Sequence, residues 1–129
     1  MKEKKDRVED AIYATKAALQ EGIVAGGGVA LLDASYSIAP ENEYEQILLE
    51  AIKAPYSTIL DNAALEHYES KKRGFGIDVV NNKEVDMIKA GIIDPVLVTK
   101  TALKNAVSVV NTIFSADCVI SNVRINAGN

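Results

Sequence analysis

One cysteine and one histidine are all that this 129-residue sequence offers to thiol or imidazole chemistry. Cys118 cannot close a disulfide within the chain, and with His67 it falls short of the four-ligand Cys/His set of a structural zinc. The Asp and Glu residues form no ligand spacing with either, which sets aside a small metal-dependent hydrolase. Such cysteine usage points to a reducing compartment. Basic charge is also scarce: the formal net charge is −4, so no cationic stripe exists to displace counterions from a nucleic acid. The two cationic runs, KEKK at 2–5 and KKR at 71–73, read as solvated surface. Long apolar runs are missing as well, and the opening MKEKKDRVED carries no apolar signal core, so the expectation is a cytoplasmic chain without a membrane segment.

What is present is a 48% hydrophobic content, enough for one core in one domain. From Asp6 to Gln20, Val8, Ala11, Ile12, Ala18 and Leu19 recur at helical spacing, with Thr15 the one hydroxyl on that stripe and Gly22 placed to stop the helix. Val29, Leu31, Leu32, Ala34 and Tyr36 begin a second helix that must end before Pro40, and Glu41 and Asn42 make the turn. Tyr44, Ile47, Leu48, Ala51 and Ile52 give a third, and Ile59, Leu60 and Ala63 a fourth, because Pro55 interrupts the pattern and suits a first helical turn. GFGIDVV reads as a loop and a short strand. KEVDMIKAG reads as a short helix, with Asn81 or Asn82 as cap, Glu84 completing a capping box and Gly91 as exit. Asp94 and Pro95 are expected to cap and open the last helix, whose buried stripe is Val98, Ala102, Ala106, Val109 and Ile113. CVISNV, residues 118–123, reads as a terminal edge strand. The sum is a mainly α chain with a little β structure.

Two corners invite explanation. In EGIVAGGGVALL, three consecutive glycines cannot lie in a helix interior at roughly 1 kcal/mol each. The dinucleotide fingerprint fails because Leu31 stands where a small residue belongs and the segment before Gly26 reads as helix rather than strand. The phosphate loop fails because Val29, not lysine, follows Gly28. Two readings stay open: a helix start whose bare backbone receives an anion or a flat ligand, and a helix crossing that tolerates no side chain. At the other corner, GIIDP, the ordinary role of Asp94 is a helix cap. Asp10 sits on the polar face of the first helix, where carboxylates are usually only solvated. His67 reads as a solvated histidine and Cys118 as a small buried hydrophobe.

The stretches EKKDRVEDAIYATKAALQEGIVAGGGVALL, IKAP and GFGIDVVNNKEVDMIKAGIIDPVLVTKTALKNAVSVV, in that order, closely resemble the carboxy-terminal part of the group I, GroEL-like chaperonins. The resemblance spans nearly all of this sequence but a minority of that family's chain. It implies that residues 1–20 end an intermediate-domain segment. Residues 21–129 would form the second half of the equatorial ATP-binding domain, a helical bundle with a small β element and a terminal edge strand. It also implies site roles: Gly27 lies against the nucleotide, Ile92 offers an apolar surface to adenine, Asp78, Val79 and Val80 border the base edge, Asp94 accepts hydrogen bonds from the ribose, and Asp10 orients the attacking water. The pair Val79–Val80 replaces small alanines of many relatives and is expected to tighten the base pocket. The end VRINAGN lacks the repetitive Gly-Gly-Met of the family.

By the same resemblance the cofactor is ATP or ADP with Mg²⁺, and the metal and phosphate contacts belong to a GDGTTT-type loop that this sequence does not contain. Ring-forming neighbour subunits (seven to a ring), unfolded proteins and a co-chaperonin are the implied partners, the last two through an apical domain. The chain alone is expected not to hydrolyse ATP and not to close a ring. The competing reading is a helical assembly module that never handles ATP.

Overall fold

The computed structural model describes residues 2–116. Helix α1, Lys2–Glu21, starts earlier than the apolar stripe alone predicts. Its first turns carry the i,i+4 pairs Glu3–Arg7 at 2.9 Å and Lys5–Glu9 at 3.6 Å, which suit an exposed helix. Gly22 ends it as expected, with φ +87° and its N–H on the Ala18 carbonyl at 2.8 Å. A short strand β1, Ile23–Ala25, follows, and the glycine turn then leads into α2, Val29–Ser37.

Helices α3, Glu43–Ala51, and α4, Ala54–Asn62, bear out the break at Pro55, which sits in the first turn of α4. Asn42 caps α3 by accepting the Glu45 N–H at 2.9 Å, and the Glu45 carboxylate accepts the Glu41 N–H at 2.8 Å. At the end of α4 the Ala64 N–H reaches Asp61 O and the Leu65 N–H reaches Leu60 O, both at 3.0 Å, with Ala64 at φ +52°. That is a Schellman closure with alanine where glycine is the favoured residue.

Strands β2, Phe75–Asp78, and β3, Lys83–Asp86, form an antiparallel hairpin in the register Phe75↔Asp86 to Asp78↔Lys83. The short helix expected over KEVDMIKAG is therefore wrong. Its first half is β3, Asn82 is a turn residue at φ +48° rather than a cap, and only the stretch after Asp86 coils. There the Ile92 N–H closes on Met87 O at 2.8 Å and Gly91, at φ +76°, makes the exit. Pairing with β2 overrides a helical pattern too short to decide the matter.

Strand β4, Ile93–Pro95, runs straight into α5, Val96–Phe114. The core is compact and lies among the short elements: Ala25, Val29, Leu32, Tyr56, Leu60 and Met87 pack together, flanked by Leu65, Ile77, Val85 and Ile92. Side chains tie the intervening loop down, since Asp33 accepts the Gly74 N–H at 2.7 Å and the Tyr56 hydroxyl donates to Tyr68 O at 2.6 Å. His67 is exposed, with Nε2 at 2.7 Å from an Asp61 carboxylate oxygen.

The stripe assigned to α5 is not covered. No residue of α5 is buried, and Val98, Val109 and Ile113 are about half exposed. The stripe of α1 fares alike: Val8, Ile12 and Leu19 are exposed and only Ala17 is buried. CVISNV and Cys118 lie outside the described residues. Among those described, no helix is long and apolar enough to cross a membrane.

Candidate functional site

The two corners of the sequence are one structure. Strands β1 and β4 pair antiparallel with Ile23 opposite Pro95, Val24 opposite Asp94 and Ala25 opposite Ile93. The ladder runs on into the glycine turn, where the Gly26 N–H donates to Ile92 O at 2.9 Å, and is closed at its other end by the Val96 N–H on Gly22 O at 3.1 Å. Two expectations change. The segment before Gly26 is a strand, so the dinucleotide fingerprint is excluded by Leu31 and by the antiparallel pairing, not by a helix at that place. Asp94 is not the cap of α5: it belongs to β4, Pro95 holds the cap position, and no side chain caps that helix end. The ladder has already set the backbone entering the helix, and Pro95 supplies φ −67° without needing an N–H partner.

The glycines divide between the two readings. A Cβ on Gly26 would lie 3.0 Å from the Ile92 and Ile93 backbone, and one on Gly28, at φ +79°, would lie 2.6 Å from Tyr56 N and 2.8 Å from its Cα. Both exist to let backbones touch. Gly27, at φ +65°, meets only side chains: its Cβ would stand 3.0 Å from Met87 Cε and 4.0 Å from Ile92 Cγ2. Among the described residues neither the Gly27 nor the Gly28 N–H has a hydrogen-bond partner. They precede α2 at its positive dipole end.

The remaining residues named from the sequence are spread out. Asp78 ends β2 and folds over its own loop, accepting the Val80 N–H at 3.0 Å, the Asn81 N–H at 3.4 Å and the Asn81 amide at 2.6 Å. The Asn81 side chain, then those backbone donors, hold its carboxyl below the ordinary aspartate range. Val79 and Val80 are exposed in that loop. The hairpin carries Asp78 about 10 Å along the strand from its Met87 end. Ile92 is half-buried against the core. Asp10 is exposed on α1 and has no hydrogen-bond or ion-pair partner among the described residues. It stands twelve residues before Gly22, about 18 Å along the helix axis. The fold thus joins Gly27, Ile92 and Asp94 through one ladder, attaches Asp78–Val80 through the hairpin, and leaves Asp10 apart.

With that geometry in place, the sequence model of the TCP-1/cpn60 chaperonin family matches residues 1–124. This chain belongs to the TCP-1/cpn60 chaperonin family.

In this chaperonin chain two residues of the corner escaped the sequence reading. Met87 was absorbed into a helix that does not form, and Gly76 into a loop. Yet a Cβ on Gly76 would press to 2.5 Å from Val29 Cγ2 and 3.3 Å from Met87 Sδ. A glycine inside a run of strand-forming residues is the signal that could have found the close approach. Asp94 also borders a recess of about 170 Å³ with Ala14, Thr15 and Ala18 of α1. Small side chains there bring α1 close to the carboxylate-bearing strand. Chemically, the corner offers N–H groups unpartnered among the described residues, an apolar side chain and a carboxylate with no capping duty.

Proposed function

We propose that this chain supplies the nucleoside-holding side of the ATP site of a protein-folding chaperonin, with residues 1–20 ending an intermediate segment and residues 21–129 forming the second half of an equatorial domain. The observation that supports the reading is the β1–β4 ladder, which bonds Gly26, the neighbour of Gly27, to Ile92 and pairs Asp94 opposite Val24, leaving the Asp94 carboxylate free of a cap. Gly27 lets the ligand approach without a Cβ in the way, Ile92 lies against the base, Asp94 accepts hydrogen bonds from the ribose hydroxyls, and Asp78, Val79 and Val80 border the base edge. When bound, Mg²⁺ neutralises charge on the phosphates, and its ligands and the phosphate contacts lie outside this sequence. Asp10 orients the attacking water, because hydrolysis of this kind is carried by positioning and electrostatics.

Calorimetric titration of the chain with adenosine and ADP tests the nucleoside side. Gly27→Val and Asp94→Asn are each expected to weaken binding about tenfold or more, with thermal unfolding followed alongside to separate loss of site from loss of fold. Unchanged affinity in folded variants overturns the assignment. No magnesium-dependent ATP hydrolysis is expected from the chain alone, and turnover abolished by Asp10→Ala would refute that.

A second reading, a helical assembly module that binds no nucleotide, is favoured by the uncovered apolar side chains of α1 and α5. The two readings are compatible in a ring subunit, where those faces meet the remainder of the domain and neighbouring subunits. The chain alone is expected to sediment as a monomer or a small concentration-dependent oligomer. A stable seven-membered species would show that these helical faces suffice for the ring.

A further inference from the structure

The side chain of Met87 is buried to 2% exposure at the point where every piece of the corner converges. Its N–H donates to Gly74 O at 3.0 Å and its carbonyl accepts the Ile92 N–H at 2.8 Å, so its backbone joins the hairpin to the strand that bears Asp94. Its thioether passes beneath Gly76, whose missing Cβ would lie 3.3 Å from Sδ, and its ε-methyl ends under Gly27, whose missing Cβ would lie 3.0 Å away. One side chain therefore touches the glycine turn and the hairpin, and its backbone holds Ile92.

We propose that Met87 is a positioning residue for a purine nucleoside: its ε-methyl sets the height of the Gly27 turn relative to Ile92, and so decides how the base is received. The inference rests on the reading of the corner as a nucleoside site. The residue type fits the task. Methionine is unbranched and polarisable, and it fills the irregular gap that two glycines leave on either side of it. A shorter side chain leaves a void beneath Gly27, which packed surroundings only partly close. The effect is expected on the base, because the Met87 carbonyl holds the N–H of Ile92, the side chain assigned to the base, at 2.8 Å.

The sequence contains two methionines, Met1 and Met87, so a chain labelled with methyl-¹³C methionine gives two ε-methyl signals, assigned by Met87→Leu. Adenosine and ADP are expected to shift the Met87 signal with the affinity read by calorimetry, whereas inorganic triphosphate and ribose 5-phosphate leave it in place. Met87→Ala should weaken adenosine binding about tenfold, and Met87→Leu should restore it to within about threefold. Adenosine binding that leaves the Met87 signal unmoved, or that is equal in folded Met87→Ala, overturns this inference and leaves the nucleoside site standing. No binding of adenosine at millimolar concentration overturns the site itself, and the inference with it. Should Met87→Ala fail to fold, the labelled wild-type chain and Met87→Leu decide the matter.

Discussion

Helices α1 and α5 are 20 and 19 residues long, yet Ala17 is the only buried residue either contains. Between their ends, strands of three or four residues and helices of nine enclose Val29, Leu60, Tyr56 and Met87 almost completely. Length and burial run opposite ways because the two regions are held by different means. The short elements approach each other through glycines that put backbone against backbone, so little chain encloses much apolar surface. The long helices meet each other and β4 through the Glu21–Lys100 pair at 2.7 Å and the small side chains around Asp94. Among the described residues nothing covers the apolar faces of either helix along most of its length.

The sharpest break of this contrast is at Gly28. Gly28→Ala must drive a Cβ into the Tyr56 backbone at a positive φ, and should cost about 3 kcal/mol or more. Gly22→Ala has a similar φ but nothing within 4 Å of the new Cβ, so only the backbone strain of about 1 kcal/mol remains. Urea unfolding of both variants checks the difference, and equal losses would show that close approach is not what the core glycines provide.

Next in size is a truncation inside each region. Leu60→Ala removes a side chain that is 1% exposed and should lose about 3 kcal/mol. Ile113→Ala on the uncovered face of α5 should stay within about 0.5 kcal/mol. A large loss at Ile113 in the isolated chain would mean that α5 is already covered there.

A gain is expected at Ala64, which occupies the left-handed position closing α4. Ala64→Gly should stabilise by about 1 kcal/mol, read as a shift of the urea midpoint at unchanged slope. The smallest effect concerns acid. Asp78 has its carboxyl held below the usual range by Asn81 and the loop N–H groups. Its contribution is therefore complete above the unfolded value of about 3.9 and is lost as pH falls through the lower folded value. Protection of the Val80 and Asn81 amides, taken relative to their intrinsic exchange rates, should fall in that window and not change across it in Asp78→Asn, while core amides such as Leu60 stay protected. The hairpin loop loosening together with the core would show that the two are one cooperative unit.

The sequence by itself determined the elements whose limits are set by neighbouring residues. Gly22 stops α1, Asn42 starts α3, Pro55 starts α4, and the residues of AGGGVALL and GIIDP carry the family resemblance without any knowledge of the fold. These are local constraints on backbone angles, and a local reading finds them. Tertiary structure decided whatever required a distant partner. KEVD became a strand because FGID lay beside it, and Asp94 was taken from its helix cap by pairing opposite Val24. The three glycines acquired three different neighbours only when Ile92, Met87 and Tyr56 were brought against them. The apolar stripe of α5 was legible as a stripe, but periodicity reports that a face is apolar and not what covers it. Asp78 and Gly27 were named from resemblance, and the fold shows one pinning a hairpin loop and the other resting on a methionine that the sequence had assigned to a helix. Side-chain spacing fixes which face a residue occupies, whereas contact between faces depends on how the whole chain closes, and for this corner that closure is the β1–β4 ladder.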